Sequence, residues 1–448
     1  PLHLGSMRAF IPSYLYAKNY GGRFILRFDD TDPQTPGKRP EKIFYKWIEE
    51  DLKWVGAKPD LVVYASDRLE TYYELCFELL QKGFAYVCTC KSEEWRKLRD
   101  RKEPCPCRDL DPEENMKRWK KMHDLEYREG EAVVRIKTDI KHKNPAVRDW
   151  PAFRIIENPQ HPRIGNDYKV WPLYNFASAV DDHLLGVTLV IRGQEHSTNT
   201  EKHKFLYQHF GWEFPKVIHI GRILLEGVVL STSKARKGIE EGLYSGWDDP
   251  RLGTLRALRR RGFKPEAIVK LMEHLGVKSS DSMISMKNLE AINRQIVDKE
   301  ANRYYFVDEP VEIRVKNPIK VGKVLIPLHP ERDEKRSITV SNRFLITSRD
   351  FKRFRGKEVR LKGLYNIKLS EVSEATGEEI VQEMPKIHWV PVGENLECEV
   401  VMPDNTLKKG LVEKGVLKER VGSVMQFERF GFVRLDSKKP LRFYFTHP

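Results

Sequence analysis

Apolar residues recur at Phe10, Ile11, Tyr14 and Leu15, a helical spacing that follows Met7-Arg8-Ala9 and the turn-forming Pro1-Leu2-His3-Leu4-Gly5-Ser6. Pro12 within it argues against a straight helix. Residues 21–28 read as a buried strand ending in Asp29-Asp30-Thr31-Asp32-Pro33, and the spacing predicts helices over residues 40–54 and 67–83, the second with Ser66 or Asp67 as its N-cap. A polar connecting stretch occupies residues 91–104. Beyond it the pattern predicts a charged helix over 109–127, strands over 132–137 and 152–156, and a helix over 171–178. A buried strand over 188–196, a helix through 205–210, and a strand over 217–225 running into a hairpin at Glu226-Gly227 come next. Residues 249–302 are mostly helical in spacing; after Tyr304 the pattern turns to short alternating strands, which two small β-barrels would accommodate. Strands alternating with helices in the first half predict a parallel α/β core, with ligands gathering at the carboxyl ends of the strands. A strand should precede the first helix of such a core, so residues upstream of Pro1 are expected.

Composition narrows the classes. At 448 residues the chain has room for three or four domains, each with its own core. No apolar run is long enough to span a membrane and no leader pattern is present, which predicts a soluble, cytoplasmic protein. A formal charge of +14 favours a polyanionic partner, although 32% charged residues also fit a generally charged surface.

The helix start at Met7 aims backbone N–H groups and a partial positive charge at whatever precedes it, which suits a phosphate. Gly5 lets an adenine or ribose lie against the backbone, and His3 can donate to phosphate oxygens; by itself a histidine there is more often a cap or a packed residue. The carboxylates at residues 29–32 can hold an ammonium group, or cap the next turn. Cys88, Cys90, Cys105 and Cys107 form two C-x-C pairs, which in a reducing compartment suit a tetrahedral structural zinc better than disulfides, with free thiols as the alternative. Cys76 and Cys398 read as packed thiols.

His3-Leu4-Gly5-Ser6, Arg27 to Pro33, Tyr64-Ala65-Ser66-Asp67-Arg68 and Ser231-Thr232-Ser233-Lys234, in this order, resemble the class I aminoacyl-tRNA synthetases of the glutamyl/glutaminyl branch, most closely the archaeal type of glutamyl enzyme. The resemblance runs through essentially the whole chain. It implies a multidomain α/β plus β fold: a Rossmann-type catalytic domain over 1–83 and 171–238, an inserted acceptor-stem-binding domain with a zinc module over 84–170, a helical connecting domain over 239–303 and anticodon-binding β-barrels over 304–448. It also implies that Asp29 and Tyr174 bind the α-amino group of the amino acid, that Arg192 opposes its side-chain carboxylate, and that the Ile223 backbone reads adenine. Physical chemistry agrees about Arg192: a guanidinium grips a carboxylate bidentately, whereas glutamine would leave the buried charge unpaired. The competing reading pairs Arg192 with Glu195 or Asp181 within the protein.

The segment from Val229 to Ser233 stands where the family has its Lys-Met-Ser-Lys-Ser loop, with Val229 and Thr232 in place of the lysines. Ser231 and Thr232 then remain as ATP contacts; Lys234, Arg236 and Lys237 are near enough to supply the cation, with Lys234 the favoured substitute, and Gly5 and Ser6 line the nucleotide beside a catalytic His3. The expected reaction is ATP-dependent, Mg²⁺-assisted activation of glutamate and its transfer to tRNA-Glu by a monomer, with tRNA-Gln as a second acceptor candidate. A glutaminyl enzyme and a non-catalytic tRNA-binding paralogue are the alternatives. Arg256, Arg259, Arg260 and Arg261 are candidates for tracking tRNA, and the aromatics of residues 386–390 and 426–431 for stacking on anticodon bases, or for the core.

Overall fold

The computed structural model describes residues 1–37 and 39–448, which divide into two compact units. One comprises residues 5–224 and 272–283. Its first helix, α1 (Met7–Asn19), passes through Pro12 without a break and buries Met7 and Ile11. Strand β1 (Ile25–Phe28) pairs in parallel with β2 (Leu61–Tyr64) on the far side of α2 (Lys42–Trp54). The strand is shorter than its sequence pattern and alternates rather than being buried throughout: Leu26 and Phe28 are in the core, while Ile25 and Arg27 are half-buried. Helix α3 (Leu69–Gln81) follows a 3₁₀ turn over Ala65–Arg68. Neither Ser66 nor Asp67 caps it: Ser66 gives its N–H and hydroxyl to Asp30, and Asp67 pairs with Arg163 at 2.6 Å.

A four-stranded antiparallel sheet comes next, made of β3 (Ala85–Cys88), β4 (Val133–Ile136), β5 (Pro151–Ile155) and β6 (Val170–Pro172) in that order. The polar stretch after Cys90 holds a helix, α4 (Ser92–Arg101), whose only buried residue is Trp95. Such an apolar-poor helix leaves little periodicity to read. In α5 (Pro112–His123), Asp111 caps the first turn by accepting from the Glu114 N–H, and Pro112 stands where a helix needs no donor. Trp119, Trp150, Phe153 and Trp171 fill the core against this sheet. The helix expected over 171–178 is in fact a strand end followed by α6 (Tyr174–Leu184), the change falling at the extended Leu173.

Strand β7 (Leu189–Gly193) runs into α7 (Ser197–Phe210) and pairs in parallel with β8 (Lys216–Ile220), Arg192 opposite His219. Among the described residues of this unit, parallel pairing therefore occurs as two separate two-stranded pairs. The strand expected over 217–225 breaks at Gly221, where an added Cβ would lie 2.0 Å from the Ser280 carbonyl oxygen. Only glycine admits that approach, and the chain resumes at Ile223–Leu225.

The other unit comprises residues 1–4, 225–271 and 284–448. No hairpin forms at Glu226-Gly227: after the turn, Val229 bridges in parallel to Leu252, and α8 (Thr232–Glu240) follows. The short-strand half builds two seven-stranded sheets. One carries Arg303–Tyr304 and Phe306–Asp308 at its edges, around Phe306, Phe427 and Phe443; the other runs from Lys386–Ile387 to Val390–Pro391, around Tyr305, Phe344 and Trp389. Among the described residues no helix is long and apolar enough to cross a membrane.

Candidate active site

At the end of β1, the Arg27 guanidinium donates to Asp29 Oδ1 at 2.7 Å, to Asp182 Oδ1 at 2.7 Å and to Ser178 Oγ at 2.7 Å. Burial would lower Arg27, but Asp29 and Asp182 outweigh it and hold it more firmly protonated. Burial pushes the Asp182 carboxyl up, and Arg27 only partly offsets this. Asp29 keeps a third of its side chain exposed. Tyr174, at the start of α6, has its hydroxyl pushed up by burial and by the nearby Asp29 charge, which places the two predicted amino-group ligands in one electrostatic neighbourhood.

Arg192 lies in the same unit, 9% exposed on β7. Its Nη2 donates to Thr200 Oγ1 at 2.5 Å and its buried Nε has no partner. It pairs with neither Glu195 nor Asp181; Asp181 is taken by Arg68 at 2.7 Å and by the Tyr72 hydroxyl at 2.7 Å. Arg192 also helps to depress the buried His203, whose shift comes first from burial.

The other acids of residues 29–32 are structural. Asp30 accepts from the Tyr45 hydroxyl, the Ser66 N–H and the Ser66 hydroxyl, each at 2.8 Å; Asp32 pairs with Arg154 at 2.6 Å and accepts from the Thr35 N–H. The sequence did not separate these roles, because Asp30 is satisfied by residues 15 and 36 positions away.

The predicted nucleotide residues fall in both units. In the unit of residues 5–224, Gly5 and Ser6 form the first turn before α1; Ser6 is helical and makes no side-chain cap, and Ile223 opens the strand after the Gly221 break. In the other unit, Leu4 N–H donates to Gly253 O and Leu255 N–H to Leu2 O, so that His3 forms a bridge with Thr254. Burial pushes the His3 imidazole down to about 4. Ser231 caps α8 by accepting from the Lys234 N–H at 3.4 Å, Thr232 is the first helical residue, and Lys234 is exposed one turn in. Lys237 pairs with Glu241 at 3.7 Å.

The four clustered cysteines come together: all their sulfurs lie within 4.8 Å of one another, with Cys88 to Cys105 at 3.9 Å and Cys90 to Cys107 at 3.8 Å. Four thiolates in a tetrahedron about 2.3 Å from a metal would stand about 3.8 Å apart, so the set fits one ion. Its support was not readable from spacing. Arg108, next to Cys107, donates to the fully buried Asp149 at 2.8 Å and to Thr138 O at 2.9 Å, fixing the cysteine turn to the sheet. Hydrogen bonds to Cys105 and Cys88 hold Cys107 low, whereas burial and the neighbouring thiols push Cys90 up to about 12.

Two nucleic-acid readings need correction. Arg260 pairs with Asp248 at 2.9 Å and Asp436 at 3.2 Å, and Arg261 is buried against Glu290 and the Thr446 carbonyl, so neither belongs to a free basic face. Trp389 and Phe427 are fully buried, which makes them core residues rather than stacking platforms.

Residues 1–299 match the family described as tRNA synthetases class I (E and Q), catalytic domain. Residues 301–387 and 386–436 match two anticodon-binding domains of the same group. A glutamate–tRNA ligase of Pyrococcus horikoshii is 56% identical over 450 residues, covering 97% of this chain and 78% of that protein. The Pyrococcus abyssi glutamate–tRNA ligase is 54% identical over 452 residues with the same coverage, and that of Methanothermobacter thermautotrophicus 47% over 457 residues, covering 100% and 80%. The chain therefore belongs to the class I tRNA synthetases of the E and Q group.

Proposed function

We infer that the protein is a glutamate–tRNA ligase, activating glutamate with ATP and transferring it to tRNA-Glu. Family membership supplies the reaction class; the observation that supports glutamate over glutamine is Arg192, a buried guanidinium with an open Nε–H and a neutral hydroxyl as its hydrogen-bond partner. A side-chain carboxylate satisfies that donor and that charge together. An amide presents only one acceptor and no charge.

In this reading Asp29 and the Tyr174 hydroxyl hold the α-ammonium group and leave the α-carboxylate free to attack the α-phosphate of ATP in line, expelling pyrophosphate. The protein's task is positioning and charge stabilisation. His3 donates to phosphate oxygens in its neutral form; Gly5, Ser6 and the Ile223 backbone hold the nucleotide. Ser231 and Thr232 contact phosphate, and Lys234 supplies the cation that Val229 and Thr232 lack. Mg²⁺ bound with ATP shares the phosphate charge. The ribose hydroxyl at the tRNA end then attacks the glutamyl adenylate and releases AMP. Residues 84–170 hold the acceptor stem, 239–303 connect, and 304–448 receive the anticodon, in a cytoplasmic monomer.

Cys88, Cys90, Cys105 and Cys107 would hold one zinc ion, which supplies structure: with all four positions taken by thiolate, none is open to a catalytic water. Purified protein with one equivalent of zinc fits this; protein without it does not. For the reaction, amino-acid-dependent exchange of pyrophosphate into ATP, run with tRNA present, should be strong with glutamate and weak with glutamine. Equal exchange with both would defeat the assignment.

A further inference from the structure

We propose that Thr200 is a positioning residue for glutamate specificity, clamping Arg192 in the orientation that meets the substrate side chain. The inference rests on the assignment of Arg192 above and adds what holds it there. A long guanidinium side chain buried without a partner would sample several rotamers, and its selectivity depends on losing that freedom before substrate arrives.

The geometry points to a three-residue chain. Thr200 sits on α7 one turn after His196, and its Oγ1 accepts from Arg192 Nη2 at 2.5 Å. The same oxygen stands 2.8 Å from His219 Nε2 and 3.3 Å from the His196 carbonyl. His219 reaches it from β8, directly across the parallel pair from Arg192, so a helix and two strands converge on one hydroxyl. The hydroxyl has a single proton, and with Arg192 donating to it that proton is available to the histidine nitrogen or the carbonyl. Thr200 is 4% exposed, and the methyl of a threonine restricts its χ1, so the oxygen is fixed in direction. A neutral hydroxyl has a further consequence. A carboxylate in this position would neutralise Arg192 and compete with glutamate, whereas a hydroxyl orients the guanidinium and leaves its charge for the ligand.

The test is pyrophosphate exchange with tRNA present, comparing wild type, Thr200→Val, Thr200→Ser and Arg192→Ala. Valine keeps the shape and deletes the oxygen. Thr200→Val should raise the glutamate KM by about 10- to 100-fold and lower the glutamate-to-glutamine ratio of kcat/KM, with the ATP KM unchanged. Thr200→Ser, which restores the oxygen, should bring the glutamate KM back toward wild type. If Thr200→Val keeps the wild-type glutamate KM and ratio while Arg192→Ala raises KM, the clamp is wrong and the assignment of Arg192 stands. If Arg192→Ala also leaves KM unchanged, the assignment itself fails and takes the clamp with it. Should the valine variant melt below the assay temperature, His219→Phe, at a half-buried position, removes the far end of the chain. A raised glutamate KM at constant ATP KM then supports the clamp, and an unchanged one overturns it.

Discussion

Two arginines at strand ends of the same unit have opposite environments. Arg27 closes β1 with two carboxylates and a serine hydroxyl on its guanidinium; Arg192 near the end of β7 has one threonine hydroxyl and a buried, unpartnered Nε. Both are cations removed from most of the water. In the first, the internal partners offset the desolvation of the charge, and the residue ties β1 to α6. In the second, no carboxylate forms an ion pair with the buried charge and its Nε–H has no partner, so on the proposed reading an anion that entered would recover part of its desolvation cost. On the proposed reading of Arg192, the number of partners on a buried cation separates an architectural residue from a recognition residue more sharply than burial does.

The largest effect should come from breaking the saturated member. Arg27→Met strands Asp182 and should destabilise the protein by about 3–5 kcal/mol, measured by chemical unfolding. A loss below about 1 kcal/mol would mean that its three contacts do not offset its burial. Arg192→Ala is the mirror case: glutamate kcat/KM should fall by a factor corresponding to about 2–4 kcal/mol, while stability shifts by less than about 1 kcal/mol. If Arg192→Ala instead unfolds the protein and spares kinetics, the contrast between the two arginines collapses.

That contrast was half legible in the sequence. Arg192 stood out by its place in the family resemblance, with its position near a strand end as support, whereas two of the three partners of Arg27 lie on α6, more than 150 positions away, and no spacing reveals them. The same division holds for the fold. Helices α1, α2 and α3 follow from apolar periodicity, since each buries one face, whereas in α7 the spacing predicts only residues 205–210 and the first turns, which bury Thr200 and His203, carry no apolar pattern. The break at Gly221 depends on the Ser280 carbonyl and could not be read locally. The α4 helix went unseen because Trp95 alone carries its burial. The cysteines were legible as a set from two C-x-C pairs, but the Arg108–Asp149 tie that orients them was not. Aromatics in the C-terminal sheets could be read either way until Trp389 and Phe427 were found in the core, since composition does not tell which face of a strand points inward.

The rule about partners extends to acids in the other unit. Asp249 is fully buried yet accepts from the Ser245 N–H, the Ser245 hydroxyl, the Arg251 N–H and the Arg251 guanidinium, the last at 2.7 Å. Burial alone would raise its carboxyl, but Arg251 and the backbone donors outweigh it and bring it down to about 2. The unfolded chain takes up the proton first as pH falls, so this stabilisation is complete above about pH 5 and disappears as pH drops through about 2. It amounts to about 2 kcal/mol, and Asp249→Asn should remove most of it at pH 7 with a smaller penalty at pH 3. An equal penalty at both pH values would show that packing, rather than charge, holds the loop.

His3 gives the smallest expected change and the finest discrimination. Its ring is pushed down to about 4 by burial, so it carries no charge at neutral pH, and a role on phosphate must rest on a neutral N–H donor. A donor of that kind works equally at pH 8 and pH 6. The rate of pyrophosphate exchange, with glutamate, ATP and tRNA saturating, should therefore show no His3-dependent limb near 6.5: wild type and His3→Gln should differ by the same factor at pH 6, 7 and 8. An imidazolium would behave otherwise, because the charge present at pH 6 would be lost by pH 8 and the ratio of the two enzymes would fall across the series. A ratio that changes with a midpoint near 6.5 would mean that the ring is protonated during the reaction and that burial does not control it. A constant ratio would show that burial keeps the His3 ring neutral before the substrate binds and throughout the reaction.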